Sequence, residues 1–250
     1  MALPREYISH NQLRLFRDCP RKYSFTYIEQ VPTLLTDKLF LGIVYHFLAD
    51  HILRRQISGQ AMPLEEVCDL YASRFQSFQE GKEVRWHEPM GRVRDRGRAF
   101  VRYFSTQVAP TLRPIMTEKE LSARIPGGPL LKGVVDLVED DFSITDFKTT
   151  TARWPESRGR NPLQMLIYRY LFRQTFGTQA PAMRYEILYG KTDHHVHRQV
   201  LPVTVEGNGE AWMLEVIDHV CAQIERGLFP RQPGLVCRFC EYTARCRSGE

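Results

Sequence analysis

Two aspartates and a lysine near the middle of the chain have the residue types and spacing that chemistry requires. Nine residues separate Asp136 from Asp146, and Lys148 follows two positions later. Side chains two apart on an extended chain share a face, so Asp146 and Lys148 would lie together. Magnesium prefers oxygen ligands, commonly one or two carboxylates plus a substrate phosphate. A lysine beside such an ion could orient or deprotonate its bound water, or balance charge on the phosphate.

The stretch from Leu130 to Thr149 predicts how these groups meet. Apolar residues dominate its first half, an acidic turn occupies residues 139–141, and apolar and polar residues alternate afterwards. This pattern predicts two short strands joined in a β-hairpin, which would bring Asp136 close to Asp146. The alternative is an ordinary hairpin with a solvated turn, in which Asp146 and Lys148 form an exposed ion pair.

The longer pattern, GVVD at 133–136 followed by DFKT at 146–149, resembles the active-site core of the PD-(D/E)XK nuclease superfamily. It is most similar to the RecB-type branch. The resemblance implies an α/β, restriction-endonuclease-like fold, with a mixed central sheet flanked by helices. It also implies hydrolysis of DNA with Mg2+ or Mn2+. The implied metal ligands include Asp136, Asp146 and the Phe147 carbonyl, with Lys148 assisting at the nucleophile.

Two further segments would add metal ligands. Residues 37–57 carry apolar side chains near a period of 3.6 and predict one helix. A histidine on such a helix is commonly a packed side chain. However, the placement of His46 four residues after Gly42 resembles the RecB-type helix whose histidine binds the metal, with the glycine allowing a close approach to the sheet. Residues 115–125 predict a strand, on which Glu120 resembles the additional acidic ligand of some relatives.

A predicted helix and the loop before it would contact the substrate. Asn161 and Pro162 predict the helix start, as N-cap and first helical residue. Gln164 and Tyr168 then share a face and resemble the family's Gln-x-x-x-Tyr motif, which flanks the catalytic strand and contacts nucleic acid. The preceding loop is either a mobile surface loop or suited to stacking and charge contacts with a single strand. Its nucleic-acid-binding candidates are Trp154, Arg153, Arg158 and Arg160.

Residues 60–110 predict two helices that form an insertion between the histidine helix and the sheet. Arg92, Arg96 and Arg102 on the second helix could follow a phosphate backbone. A solvated cationic face explains the same spacing equally well.

The cysteines predict a second metal centre. Three of them cluster as C-x2-C-x5-C near the end of the chain and need a fourth ligand, so the candidate set is Cys19, Cys237, Cys240 and Cys246. Three thiolates plus a distant one suit a [4Fe–4S] cluster better than zinc, whose sites usually pair two close couples. The spacing resembles the iron–sulfur RecB-type nucleases, including CRISPR-associated exonucleases and the nuclease domain of the AddB helicase subunit. A zinc-binding regulator is the alternative.

Composition limits the partners and the cellular location that we expect for the protein. The 250 residues carry 34 Lys and Arg against 29 Asp and Glu, a net charge of +5 that permits a polyanionic partner. No apolar run approaches a membrane span, and the N-terminus lacks the apolar core of a signal peptide, so we expect a cytoplasmic protein without membrane contact.

Together these patterns predict one nuclease domain over residues 1–250, with a helical insertion at 60–110 and an iron–sulfur lobe formed by 1–35 and 228–250. The expected activity is exonucleolytic cleavage of DNA, preferably single-stranded, in repair, recombination or CRISPR adaptation. Two alternatives are a subunit active only beside a helicase or CRISPR integrase, and a non-catalytic iron–sulfur module that binds nucleic acid.

Overall fold

The computed structural model describes residues 3–248. Its strands are β1 (Tyr7–Ser9), β2 (Leu35–Thr36), β3 (Val84–Arg85), β4 (Pro114–Arg124), β5 (Leu130–Glu139), β6 (Ile144–Thr150), β7 (Met183–Tyr189) and β8 (His197–Pro202). Its α-helices are α1 (His10–Asp18), α2 (Pro20–Tyr23), α3 (Asp37–Ile57), α4 (Leu64–Glu80), α5 (Met90–Tyr103), α6 (Leu163–Phe176), α7 (Gly209–Glu225) and α8 (Thr243–Ser248). None of the helices in this part of the chain has both the length and the hydropathy that crossing a bilayer demands.

Strand β5 organises the central sheet because it has neighbours on both edges. Antiparallel β4 follows one edge along its whole length. The other edge is shared: β1 runs parallel to β5 at Leu130–Lys132, and β6 runs antiparallel to it at Leu137 and Val138. Beyond β6 lie β7, parallel to it, and β8, antiparallel to β7. The expected mixed sheet flanked by helices is therefore confirmed.

Helices cover both faces of this sheet. Helices α1, α6 and α7 pack on one face around Leu131, Val135 and Ile187. Helices α3, α4 and α5 form the second core with Leu137, Phe147 and Leu188. The apolar stripe of α3 is buried there because α4 and α5 shield it from solvent, so the histidine helix packs between these two helices and the sheet.

The second of the two expected helices in residues 60–110 requires one correction. Arg96 is buried and donates to both carboxylate oxygens of Glu88, at 2.8 and 2.7 Å. It therefore stabilises this region from within, and the idea that Arg92, Arg96 and Arg102 follow a phosphate backbone together is wrong for Arg96.

The two ends of the described chain pack against each other. Phe229 contacts the rings of Phe16 and Tyr23. Tyr242 lies with its ring centroid 5.0 Å from that of Phe25, and its hydroxyl is hydrogen bonded to the Thr26 hydroxyl at 3.1 Å. These contacts hold the C-terminal segment beside the joint between α1 and α2.

Candidate active site

The hairpin formed by β5 and β6 opens at the two aspartates. Its ladder pairs Val138 with Ile144 and Leu137 with Thr145, so one further step would place Asp136 opposite Asp146. Like charges directly opposite each other destabilise a ladder, and the pairing ends at this point. Instead, the buried carboxylate of Asp136 accepts a hydrogen bond from the Phe147 N–H at 2.7 Å. The strands diverge there, and a cleft opens between them.

Asp146 is fully buried and is held from two sides. The Lys148 ammonium lies 2.6 Å from its Oδ2, and Gln164 donates to its Oδ1 at 2.7 Å. Gln164 also donates to the Tyr168 hydroxyl at 2.9 Å. The expected grouping of these four residues is thus present in the structure.

Helix α6 comes close enough to make these contacts because β5 has a glycine beneath it. A Cβ on Gly133 would lie 3.1 Å from a Leu171 methyl carbon and 3.2 Å from the Tyr168 ring. The start of α6 differs from the expectation, however. Asn161 is not the N-cap: it has a φ of +44°, and its side chain bonds the main chain of Glu206, so the helix begins at Leu163.

Three groups at the mouth of the hairpin could hold a cation. The His46 Nδ1 lies 3.5 Å from Asp136 Oδ2 and 3.7 Å from Glu118 Oε1. One ligand atom from each of these residues lies within 4.8 Å of the others. Two carboxylates and an imidazole at this separation fit a divalent cation that accepts oxygen and nitrogen ligands.

Glu118 is the member of this group that the sequence analysis missed. It lies between the pairs Thr117–Leu137 and Lys119–Val135, so the strand register sets it across from Asp136. The expected ligand, Glu120, pairs instead with Val134, and its 61% exposed side chain forms an ion pair with Lys132 at 3.1 Å. The structure therefore places Glu120 outside the group. Glu118 reaches the group only through the register between β4 and β5, which no local sequence pattern specifies.

Burial and mutual charge shift the protonation of these residues. Burial disfavours the charged form of His46, but Asp136 and Glu118 outweigh it and raise its pKa to about 10. Burial likewise opposes ionisation of Asp136, yet His46 and Lys148 hold its pKa below the usual value. For Asp146 the outcome is the opposite: burial and the negative charge of Asp136 together outweigh the positive charge of Lys148, so the pKa of Asp146 is raised.

Lys148 is an ammonium in this arrangement. Burial acts to lower its pKa, but the carboxylates of Asp146 and Asp136 outweigh burial and raise it. The charged form of Lys148 supplies a positive charge and N–H donors beside the two aspartates.

These residues line one open cleft of about 810 Å³. Arg5, Tyr7 and Lys132 extend it on the side of β1, where both cations lie over the Tyr7 ring. Gly42 faces this cleft. A Cβ there would meet nothing within 4 Å, so the expectation that Gly42 allows α3 to approach the sheet closely is wrong.

The loop after β6 is anchored at its tryptophan. Buried Gln199 accepts from the Trp154 N–H and donates to the Trp154 carbonyl, both at 2.9 Å. The Arg158 guanidinium lies 4.5 Å from the centroid of the Trp154 ring. Trp154 and Arg158 line a cavity that adjoins the cleft, whereas Arg153 and Arg160 are exposed elsewhere on the loop.

The four candidate cluster ligands share another cavity, of about 440 Å³. Cys19 lies between α1 and α2, Cys237 lies on the 3₁₀ turn Leu235–Phe239, Cys240 directly follows that turn, and Cys246 lies on α8. The packing of the two chain ends brings them together across the whole length of the sequence.

Comparison with known proteins agrees with this architecture. The family model of the PD-(D/E)XK nuclease superfamily matches residues 7–247. A crystallised candidate exonuclease from Eubacterium rectale is 12% identical and superposes with a TM-score of 0.60 over 98% of this chain and 88% of that chain. The structure of SSO0001 is 14% identical and covers 97% and 86%, but its TM-score of 0.45 is too low to support an argument. No curated protein sequence matches the chain.

The mixed sheet with helices on both faces, and two buried aspartates beside a lysine where its central hairpin opens, are the features of a nuclease fold and site. The chain belongs to the PD-(D/E)XK nuclease superfamily.

Proposed function

We propose that the chain is a metal-dependent deoxyribonuclease that degrades DNA from an end and prefers single strands. The observation that carries this proposal is the convergence of Asp136, Asp146 and Lys148 with His46 and Glu118 in one cleft. A purely structural or binding module has no need for two buried carboxylates beside an ammonium. Burying them is costly, and a bound cation and an anionic substrate would offset that cost.

Each residue has a distinct part in the proposed reaction. His46, Glu118 and Asp136 would hold Mg2+ or Mn2+, with Asp146 and the Phe147 carbonyl as further ligands. The ion would lower the pKa of a bound water and polarise the scissile phosphate. Lys148 would balance the charge that develops on the phosphate.

Two residues on α6 act through Asp146 in this scheme. Gln164 orients the Asp146 carboxylate and favours its ionised form by donating to its Oδ1, and Gln164 also donates to the Tyr168 hydroxyl. This arrangement leaves the Asp146 Oδ2 toward Lys148.

The direct test is cleavage of end-labelled DNA, single- and double-stranded, with EDTA, Mg2+ or Mn2+. We expect metal-dependent release of short products, faster from single strands, and no cleavage by Asp146→Asn. Asp140→Asn is the matched control because Asp140 is an exposed turn carboxylate. Equal activity of Asp146→Asn and wild type, with unchanged melting curves, would contradict the site. Preference for RNA or duplex would contradict the substrate assignment.

We also propose that the thiol-lined cavity holds a [4Fe–4S] cluster bound by Cys19, Cys237, Cys240 and Cys246. Three closely spaced thiols and one distant thiol line this cavity together, and such a set suits a [4Fe–4S] cluster better than zinc, whose sites usually pair two close couples. Purification without oxygen should give about four iron and four sulfide per chain; one zinc and no sulfide would contradict the proposal.

On this view residues 1–35 and 228–250 form an iron–sulfur lobe on a single nuclease domain, and residues 60–110 are an insertion. Contacts between the chain ends, such as the ion pair of Lys22 with Glu241 at 2.8 Å, support the lobe.

A partner-dependent nuclease is the second candidate. Leu235 and Phe239, beside the thiol cavity, are 81% and 80% exposed, and exposed apolar side chains of this kind favour a docked protein. A helicase or CRISPR integrase would fit, with a cytoplasmic role in repair, recombination or CRISPR adaptation. Multiple-turnover cleavage by the isolated chain would contradict dependence on a partner.

A further inference from the structure

A second cavity continues from the metal-binding cleft. Its volume is about 440 Å³, within the ~300–1,000 Å³ range of ligand pockets. It shares Lys148, Gln164 and the first residues of α1 with the cleft. From there it runs away from Asp136 toward Trp154. A ligand in this second cavity would therefore lie directly beside the residues of the proposed reaction.

The walls of this cavity are aromatic and cationic. Trp154 and Tyr185 pack edge to face, with ring centroids 5.3 Å apart, and the Arg158 guanidinium lies 4.5 Å from the centroid of the indole. Arg14 of α1 lines the cavity from the other side. None of its lining residues, all of which belong to the described chain, is acidic. Aromatic rings and guanidinium planes stack on nucleobases, and arginine pairs with phosphate.

The cavity is built on fixed supports. The two-way hydrogen bond with Gln199 fixes the main chain of Trp154. On the opposite wall, buried Gln12 donates to the Tyr7 carbonyl at 3.1 Å and accepts from the Tyr23 hydroxyl at 3.1 Å, which fixes the start of α1. Arg14 makes an exposed ion pair with Asp18, a weak contact that a phosphate could replace.

We propose that this cavity binds the nucleotide adjacent to the scissile phosphate, with its base stacked at Trp154 and Arg158 and its phosphate against Arg14. The inference rests on the proposed function and deepens it, because it names what the substrate must offer at one position. A base that is paired and stacked in a duplex cannot enter such a cavity without being extruded, which costs a few kcal/mol. The cavity therefore gives a physical reason for a single-strand preference.

The kinetic test uses oligodeoxythymidylate with one abasic site moved stepwise along the strand. Losing the stacking of one base corresponds to a ~5- to 140-fold decrease in kcat/KM. Wild type should show this loss of kcat/KM at a single position next to the cleaved bond. Trp154→Ala should be slower on the intact strand and should lose the position-specific effect, and Arg14→Ala should raise KM. Trp212→Ala, which removes a part-exposed tryptophan on α7, is the matched control and should behave as wild type.

A binding test separates this inference from the nuclease assignment. The chain has three tryptophans. In EDTA, oligodeoxythymidylate should quench the tryptophan fluorescence of wild type and of Trp212→Phe. The same quenching should be missing in Trp154→Phe, a substitution mild enough to preserve the fold. Quenching retained in Trp154→Phe, or an abasic penalty unchanged in Trp154→Ala, would overturn the subsite even if DNA is cleaved. Trp154-dependent quenching without any metal-dependent cleavage would support the subsite and overturn the nuclease function.

Discussion

Replacing Gln164 by leucine tests whether α6 acts through the catalytic carboxylate. Gln164 donates to the buried Asp146 carboxylate at 2.7 Å, and a leucine at this position would offer that carboxylate no donor. A hydrogen bond to a charged group contributes ~1.5–3 kcal/mol. Since one pKa unit corresponds to ~1.4 kcal/mol, losing the bond should raise the pKa of Asp146 by ~1–2 units. The bond favours the ionised carboxylate, so the acid limb of activity should move to higher pH.

The assay is kcat/KM for single-stranded DNA against pH at one fixed Mn2+ concentration below saturation, because saturating metal would itself keep Asp146 ionised. We expect the acid limb of Gln164→Leu to lie ~1–2 units above that of wild type, with activity largely recovered at high pH. Tyr168→Phe is the control, because it keeps the bond to Asp146 and should shift the limb less. A uniform loss of activity at all pH values would refute the reasoning, since it would mean that Gln164 acts on the DNA directly. If Gln164→Leu kept full activity with an unchanged acid limb, Gln164 would have no role in catalysis.

The remaining predictions concern the metal sites. Glu118→Gln should raise the Mn2+ concentration needed for half-activity, whereas Glu120→Gln should leave it unchanged; the reverse outcome would restore Glu120 as the ligand. Burial and the neighbouring carboxylates raise the pKa of His46 to about 10, so binding of Mn2+ near pH 7 should displace about one proton. The affinity for Mn2+ should therefore increase ~10-fold for each unit by which the pH rises toward that pKa. Calorimetry in two buffers of different ionisation enthalpy would measure this, and no buffer dependence would contradict it. Cys19→Ser should lose its iron while Cys68→Ser retains it, and equal iron in both would exclude Cys19 as a ligand.

The elements that the sequence predicted well are those determined by local patterns. Helix α3 has the expected bounds, 37–57, because its apolar period is regular and Thr36 caps its first turn by accepting from the Leu39 N–H. The hairpin around Asp136 and Asp146 was equally accessible, since a run of strand-forming residues on each side of an acidic turn specifies both strands.

The errors arose where a residue's position depends on a partner far away in the chain. Glu118 joins His46 and Asp136 only through the register between β4 and β5, which no local pattern specifies. Arg96 was misread because burial by the surrounding helices cannot be seen from charge spacing. Asn161 has the composition of an N-cap but is bonded to Glu206, 45 positions later.

The order of the strands also has a consequence for biosynthesis. The cleft combines β1, the α3 histidine, the hairpin and α6, and β1 finds its place only on β5, more than a hundred residues later. At ~5–20 residues per second, the roughly 120 residues between His46 and Gln164 take ~6–24 s to translate. During that interval the nascent chain has no complete hydrolytic centre. The hydrolytic centre can therefore assemble only after α6 has been synthesised, late in translation of the described residues.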